Sequence, residues 1–190
     1  MTKADESHPG DDLVPLRLAY VGLGSNLGDR LGHLNAALDV IERRVGRLAA
    51  VSYAYETDPV GLTDHPRFLN AVCAIETALD PHQLLAALLE IEAGRGRVRG
   101  VKNGPRTLDL DLLIYEDLVI DELGLQVPHP RLTKRAFVLV PLAEIAPDFV
   151  HSVTGQSVRE MLECCLPETS SGDRAVGAQT ALNVQRIHRS

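Results

Sequence analysis

Apolar positions along the chain change period several times, and each change predicts an element. Leu16 to Gly22 reads as a first strand. It ends in the run Gly22-Leu23-Gly24-Ser25-Asn26-Leu27-Gly28-Asp29-Arg30, a tight turn into a helix. Leu31, Leu34, Leu38, Ile41 and Val45 then recur at steps of three and four, one face of a helix that Gly46 should stop. Ala49 to Glu56 predicts a second strand, and Phe68 to Thr77 a third. Asp80-Pro81 is an N-cap and first-turn pair for a second helix, with Leu84, Leu85, Leu88 and Ile91 on its apolar face. Thr107 to Tyr115 is a fourth long strand, and a short one follows near Leu118 to Ile120. Two short helices, Val138 to Ile145 and Val158 to Cys165, close the ordered part, the second starting near Ser157.

The order strand, helix, strand, strand, helix, strand is the βαββαβ arrangement of ferredoxin-like domains. Such α+β folds pack both helices on one face of an antiparallel sheet and leave the other face open for elaboration. Residues 1–14 carry no hydrophobic period and predict a disordered leader. Residues 167–190 predict a disordered tail, which leaves 15–166 as one domain. No internal repeat is visible.

Composition narrows the function classes. The 190 residues suffice for one real core. A net charge of −7 disfavours a general nucleic-acid binder, so any anion binding should be local. No apolar run reaches the roughly 20 residues of a membrane span, and the start lacks signal-peptide order. Cys73, Cys164 and Cys165 form neither metal-ligand spacing nor a disulfide framework, so the chain reads as cytoplasmic.

The chemistry concentrates in one stretch. A strand points residues i and i+2 the same way, so Asp109 and Asp111 share a face about 7 Å apart. They are either solvated acids on an edge strand or ligands of a hard divalent cation. Just upstream, Gly94 to Arg106 packs five cations and four glycines into thirteen positions with no acid. Arginines in such a loop grip phosphate oxygens bidentately, which favours metal–polyphosphate chemistry over a merely solvated loop. A second basic loop, Val127 to Phe137, carries His129 and Arg135. The glycine turn after the first strand fits neither the dinucleotide fingerprint nor the Walker pattern, which needs a lysine, and a structural turn is the expectation. Asn70, an amide inside an apolar run, needs partners from backbone or ligand. Glu92, an acid in the last turn of its helix, should find a cation or serve a ligand.

Five motifs taken together resemble the 6-hydroxymethyl-7,8-dihydropterin pyrophosphokinases of folate biosynthesis. They are Gly24-Ser25-Asn26-Leu27-Gly28-Asp29, Thr57-Asp58-Pro59-Val60-Gly61, Phe68-Leu69-Asn70-Ala71, Gly104-Pro105-Arg106-Thr107-Leu108-Asp109-Leu110-Asp111 and Val127-Pro128-His129-Pro130-Arg131. They occur in the family's order across Leu16 to Leu166. The resemblance implies attack by the pterin's hydroxymethyl oxygen on the β-phosphorus of ATP, transferring pyrophosphate and releasing AMP. It implies two Mg²⁺ ions on Asp109 and Asp111, and Arg97 and Arg106 stabilising the transferred group. Arg99, His129, Arg135 and Glu92 would contact the nucleotide. Thr57, Pro59, Val60, Phe68, Asn70 and Phe137 would form the pterin pocket. The expected partners are these small molecules alone, with no nucleic acid or membrane, and the chain is expected to act as a monomer. Asn103 and Leu89 depart from the family's usual aromatic and polar residues. An RNA-binding module on the same fold would need stacking aromatics on its central strands, where only Tyr20 and Tyr115 stand.

Overall fold

The computed structural model describes residues 15–58, 66–96, 105–166 and 184–185. Its first strand, β1 (Arg17–Ser25), runs three residues further than the glycines suggest, so Gly22 and Gly24 are strand residues. The turn proper is Asn26 to Asp29, where Gly28 adopts a φ of 64° and Asp29 caps α1 (Arg30–Arg44) through Gly32 N–H. The predicted second strand is two pieces, β2 (Arg47–Val51) and β3 (Ala54–Thr57). Both pair antiparallel with β4 (Phe68–Thr77), but the register slips by one between them. Ser52 causes the break: its amide donates to Val72 O at 2.9 Å, and its hydroxyl accepts from Val72 N–H at 2.9 Å. A side chain thus replaces one rung of the ladder, as in a bulge.

Helix α2 (Pro81–Gly94) begins at an Asp80–Gln83 capping box and leads towards β5 (Asp109–Tyr115). A hairpin of β6 (Ile120–Glu122) and β7 (Leu125–Val127) follows, where the sequence suggested one short strand and then loop. The Val127–Pro128 peptide is cis. Then come α3 (Ala136–Ile145) and α4 (Val158–Cys165), the latter capped by Ser157 and Glu160 in a second capping box. Residues Val184–Gln185 form β8, which pairs with Ala54 and Tyr55 of β3, within the stretch read from sequence as a disordered tail.

The sheet order is β5-β1-β4-β3-β8, with β2 also on β4, and the β1, β2, β3, β4 and β5 pairings are antiparallel. Its core is the expected ferredoxin-like one. Alternation divides the sheet cleanly. Ala19, Val21, Leu23, Cys73 and Ile75 face Leu34, Leu38 and Ile41 of α1 and Leu84, Leu88 and Ile91 of α2. The opposite face is not left open throughout. Tyr20, Val72, Ala74 and Ile114 pack under Val138, Leu139 and Leu142 of α3 and Val158 and Met161 of α4. Where that cover stops, towards Gly24, Asn70 and Asp109, the face carries polar side chains.

Candidate active site

Cross-strand register builds the site. Gly24 of β1 pairs with Asn70 of β4 on one side and with Asp109 of β5 on the other. Gly22 likewise pairs with Val72 and Asp111. Directly opposed residues share a face, so Asn70, Asp109 and Asp111 look out over a floor of bare β1 backbone. A Cβ at Gly24 would stand 3.2 Å from Asn70 Oδ1 and 3.7 Å from Asp109 Cβ. The glycine keeps a slot open between the amide and the carboxylates.

Two arginines meet the two aspartates. Arg106 Nη1 donates to Asp109 Oδ2 at 2.7 Å, and Arg135 Nη1 lies 3.6 Å from Asp111 Oδ2. Burial raises the proton affinity of Asp111, and the Asp109 charge raises it further. His129, Arg135 and Arg131 oppose this rise. The His129 ring is set by its own turn: Nδ1 accepts from Arg131 N–H at 3.1 Å. That leaves Nε2 as the protonated nitrogen of the neutral ring, a hydrogen-bond donor. Burial lowers the His129 pKa, so the neutral form is the one favoured. Arg135 also stacks 5.4 Å from the Phe137 ring centroid.

Beside the carboxylates lies a cavity of about 700 Å³. Its polar end holds Asp109, Asp111, His129 and Arg131, and Leu85, Leu89 and Leu112 supply apolar wall. Cavities of this size with apolar walls and a few convergent polar groups suit a nucleotide-sized ligand. Glu92, only 2% exposed, borders it, and its Oε1 accepts from Leu110 N–H at 2.7 Å. Glu92 therefore does local work that its helix position did not disclose: it holds β5 at the residue between the two aspartates.

On the far side of Gly24, Asn70 Nδ2 donates to Thr57 Oγ1 at 2.7 Å, both residues being buried. Phe68 pairs with Thr57 at the end of the β3–β4 ladder and stays half-buried. Phe137 sits in the first turn of α3 and is partly packed against the second core. Of the residues singled out from sequence, Asp109, Asp111, Arg106, Glu92, His129 and Arg135 gather around β5, and Thr57, Phe68 and Asn70 around the β3–β4 end. Pro59, Val60, Arg97 and Arg99 lie outside the described residues.

Two side chains within the quoted motifs were given no individual role from sequence. Asn26, 2% exposed, locks the two glycine-flanked segments together: its N–H donates to Arg106 O at 3.1 Å and its Oδ1 accepts from Arg106 N–H at 2.7 Å. The turn is structural, as expected, and what it structures is the entry to the aspartate strand. Arg131 adds a cation at the polar end of the cavity; its place two residues after His129, in the basic-loop motif, was the signal for it. Among the described residues no group of three or more His, Cys, Asp or Glu converges. A cation here would rest on the aspartate pair and its ligand's own oxygens, a donor set that suits Mg²⁺ and not a thiolate- or imidazole-rich site.

Comparison with known proteins identifies the family. A Pseudomonas aeruginosa 2-amino-4-hydroxy-6-hydroxymethyldihydropteridine pyrophosphokinase is 47% identical over 151 residues, covering 79% of this chain and 93% of that protein. Its Methylorubrum extorquens namesake is 50% identical over 145 residues, covering 76% and 90%. The chain also matches the Schizosaccharomyces pombe folic acid synthesis protein fol1 at 43% identity, but spans only 20% of that much longer protein. A solved HPPK-DHPS in complex with substrates superposes with a TM-score of 0.68 over 80% of this chain and 44% of its own; at 16% identity the likeness concerns the fold. The profile of the 7,8-dihydro-6-hydroxymethylpterin-pyrophosphokinase (HPPK) family matches residues 20–147. With that match spanning both carboxylates, Asn70 and His129, the chain belongs to the HPPK family.

Proposed function

We propose that the chain transfers pyrophosphate from ATP to the hydroxymethyl oxygen of 6-hydroxymethyl-7,8-dihydropterin, with Asp109 and Asp111 as the ligands of two Mg²⁺ ions. The bond from the hydroxymethyl oxygen to the β-phosphorus forms as the bond from that phosphorus to the α–β bridging oxygen breaks; the hydroxyl proton passes to solvent, and AMP leaves with the bridging oxygen. The observation that carries this reading is the placement of the aspartate pair. It stands between a nucleotide-sized cavity and the Asn70–Thr57 pair, across a floor kept bare by Gly24.

The residues present fit the metal. Asp111 is a carboxylate whose burial and like-charged neighbour call for a cation, and Arg106 and Arg135 now supply positive charge there. Bound Mg²⁺ would neutralise polyphosphate charge and lower the pKa of the attacking hydroxyl. The chain's own groups do the positioning on which phosphoryl-type transfer depends. Asn70 offers a donor and an acceptor to the amide-like edge of the pterin, with its orientation set by Thr57. Phe68 and Phe137 offer faces for a flat ring. His129 Nε2–H, Arg131 and Arg135 present donors to phosphate oxygens. Glu92 keeps Leu110 and both neighbouring aspartates in register. Arg97, Arg99, Pro59 and Val60 take their roles here from the family motifs alone.

The proposal extends to a monomer working in the cytoplasm on small molecules, without nucleic acid. The −7 net charge supports the last point. No helix among the described residues is long and apolar enough to cross a membrane. The test is product identity. With ATP, Mg²⁺ and the dihydropterin alcohol, the protein should release AMP and a pterin diphosphate. Release of ADP, or no turnover by folded protein, refutes the reading.

A further inference from the structure

The end of the β3–β4 ladder has a problem that regular secondary structure does not solve. Thr57 and Phe68 are its last pair, and β8 pairs with β3 only at Ala54 and Tyr55. Strand ends of this kind open at little cost. Yet Thr57 Oγ1 is the group that orients Asn70. Fraying by one residue pair would release the amide on which recognition of the acceptor depends.

Four charged side chains surround this pair. Glu56, whose side chain is 14% exposed, divides its carboxylate between two arginines: Oε1 lies 2.7 Å from Arg30 Nη1 and Oε2 lies 3.7 Å from Arg67 Nη1. Arg67 Nε donates to Asp58 Oδ1 at 2.6 Å, which raises the guanidinium's already high pKa further. Arg30 Nη1 also donates to Arg67 O at 2.8 Å. The first residue of α1 thereby grips both the side chain of Glu56 and the backbone beside Phe68. Two acids and two bases form a neutral cluster, and their neighbours Thr57 and Phe68 turn to the opposite face, towards the site. Asn26 Nδ2 adds a weaker tie to Pro66 O at 3.3 Å.

We propose that the Arg30–Glu56–Arg67–Asp58 network is a positioning device for the acceptor substrate: it pins the last rung of β3 and β4 so that Thr57 holds Asn70 in its binding orientation. This rests on the assignment of Asn70 and Thr57 to the pterin side of the site. Glu56 is the linchpin, because among the described acids its carboxylate is the one that meets both arginines. The network touches neither the carboxylate pair nor the nucleotide-sized cavity, so its influence belongs to one substrate only.

The pterin carries no net charge, which makes salt a direct probe. Any salt dependence of its affinity at saturating Mg²⁺ and non-hydrolysable ATP analogue must come through the protein. Binding can be followed by the pterin's own fluorescence. Glu56→Gln should weaken dihydropterin binding and raise its KM by about fivefold, the size expected of a part-buried ion pair. The KM for ATP should stay within about twofold, since the lost interaction lies on one substrate's side only. Wild-type affinity for the pterin should weaken from low to high salt, and that of Glu56→Gln should not. Glu56→Asp, which keeps the charge, should recover part of the loss. Arg44→Gln, which removes an exposed ion pair to Glu90 elsewhere, should behave as wild type. Equal changes in both KM values, or a fall in thermal stability with an unchanged pterin KM, overturn the positioning role. If Glu56→Gln does not fold, a salt-independent wild-type affinity overturns it alone. A wild-type protein that neither binds the dihydropterin nor releases AMP overturns the functional reading beneath it.

Discussion

Replacing Gly24 with alanine adds one methyl group at the centre of the proposed site. Gly24 has an ordinary strand backbone, so alanine meets no conformational barrier there, and loss of the glycine's unfolded-state freedom should favour folding by about 0.5–1 kcal/mol. Against this stands the new Cβ, 3.2 Å from Asn70 Oδ1. The amide must retreat by a few tenths of an ångström, but its Nδ2 is already held to Thr57 at 2.7 Å. Straining or losing that bond costs about 1 kcal/mol, so the two effects nearly cancel in stability. The melting temperature should move by no more than about 3 °C. Function has no such compensation. The methyl occupies the slot between Asn70 and Asp109, and misplacing reactants by up to an ångström costs on the order of 10² in rate. The expected result is a fall of about two orders of magnitude in kcat/KM for the dihydropterin, read by AMP release. Calorimetry on the same protein should show it folded. An alanine variant with near-wild-type kcat/KM would refute the proposal that the Gly24 slot between Asn70 and Asp109 serves the reaction.

Two further predictions concern charge. Asp111→Asn should abolish AMP release while raising the melting temperature of the metal-free protein by roughly 1–3 °C. Burial and the Asp109 charge raise the folded-state pKa of Asp111, so this group favours folding below the ordinary carboxylate range and loses that contribution as pH rises through its raised value. The neutral amide avoids the loss; a lowered melting temperature at neutral pH would contradict the argument. His151 should set an acid limit on stability. Its Nδ1 accepts from Thr154 N–H at 3.2 Å, and burial depresses its pKa. A depressed imidazole contributes stability above its ordinary pKa of about 6.5, which is lost as pH falls through that range towards the lowered value. Denaturation midpoints followed from neutral to mildly acid pH should fall more steeply for wild type than for His151→Gln; parallel slopes would exclude His151 as the cause.

Much of the molecule was legible without coordinates because its signals are local. A strand alternates with period two, so Asp109 and Asp111 had to share a face wherever β5 lay. The caps at Asp80 and Ser157 depend on residues three apart and start the helices where expected. Phe68 to Thr77 appears with the predicted bounds. Reading failed where one distant contact overrides a local pattern. Ser52 splits the second strand because its hydroxyl finds Val72, which no window around Ser52 contains. Glycines that suggest a turn by composition belong to β1, because β4 and β5 pair with both of its edges.

Sequence alone determined that two carboxylates follow an arginine–glycine loop on one strand face, and its five motifs sufficed to place the chain in its family. It determined neither what those carboxylates face nor what keeps them there. Register across β5, β1 and β4 put Asn70, Gly24 and Asp109 in one row. Packing of α3 and α4 covers only the part of the sheet away from that row. The Asn26–Arg106 lock and the Glu92–Leu110 bond then fixed the strand carrying both aspartates. Each of these joins residues far apart in the chain, and their free energy exists only once the intervening segments have closed on one another.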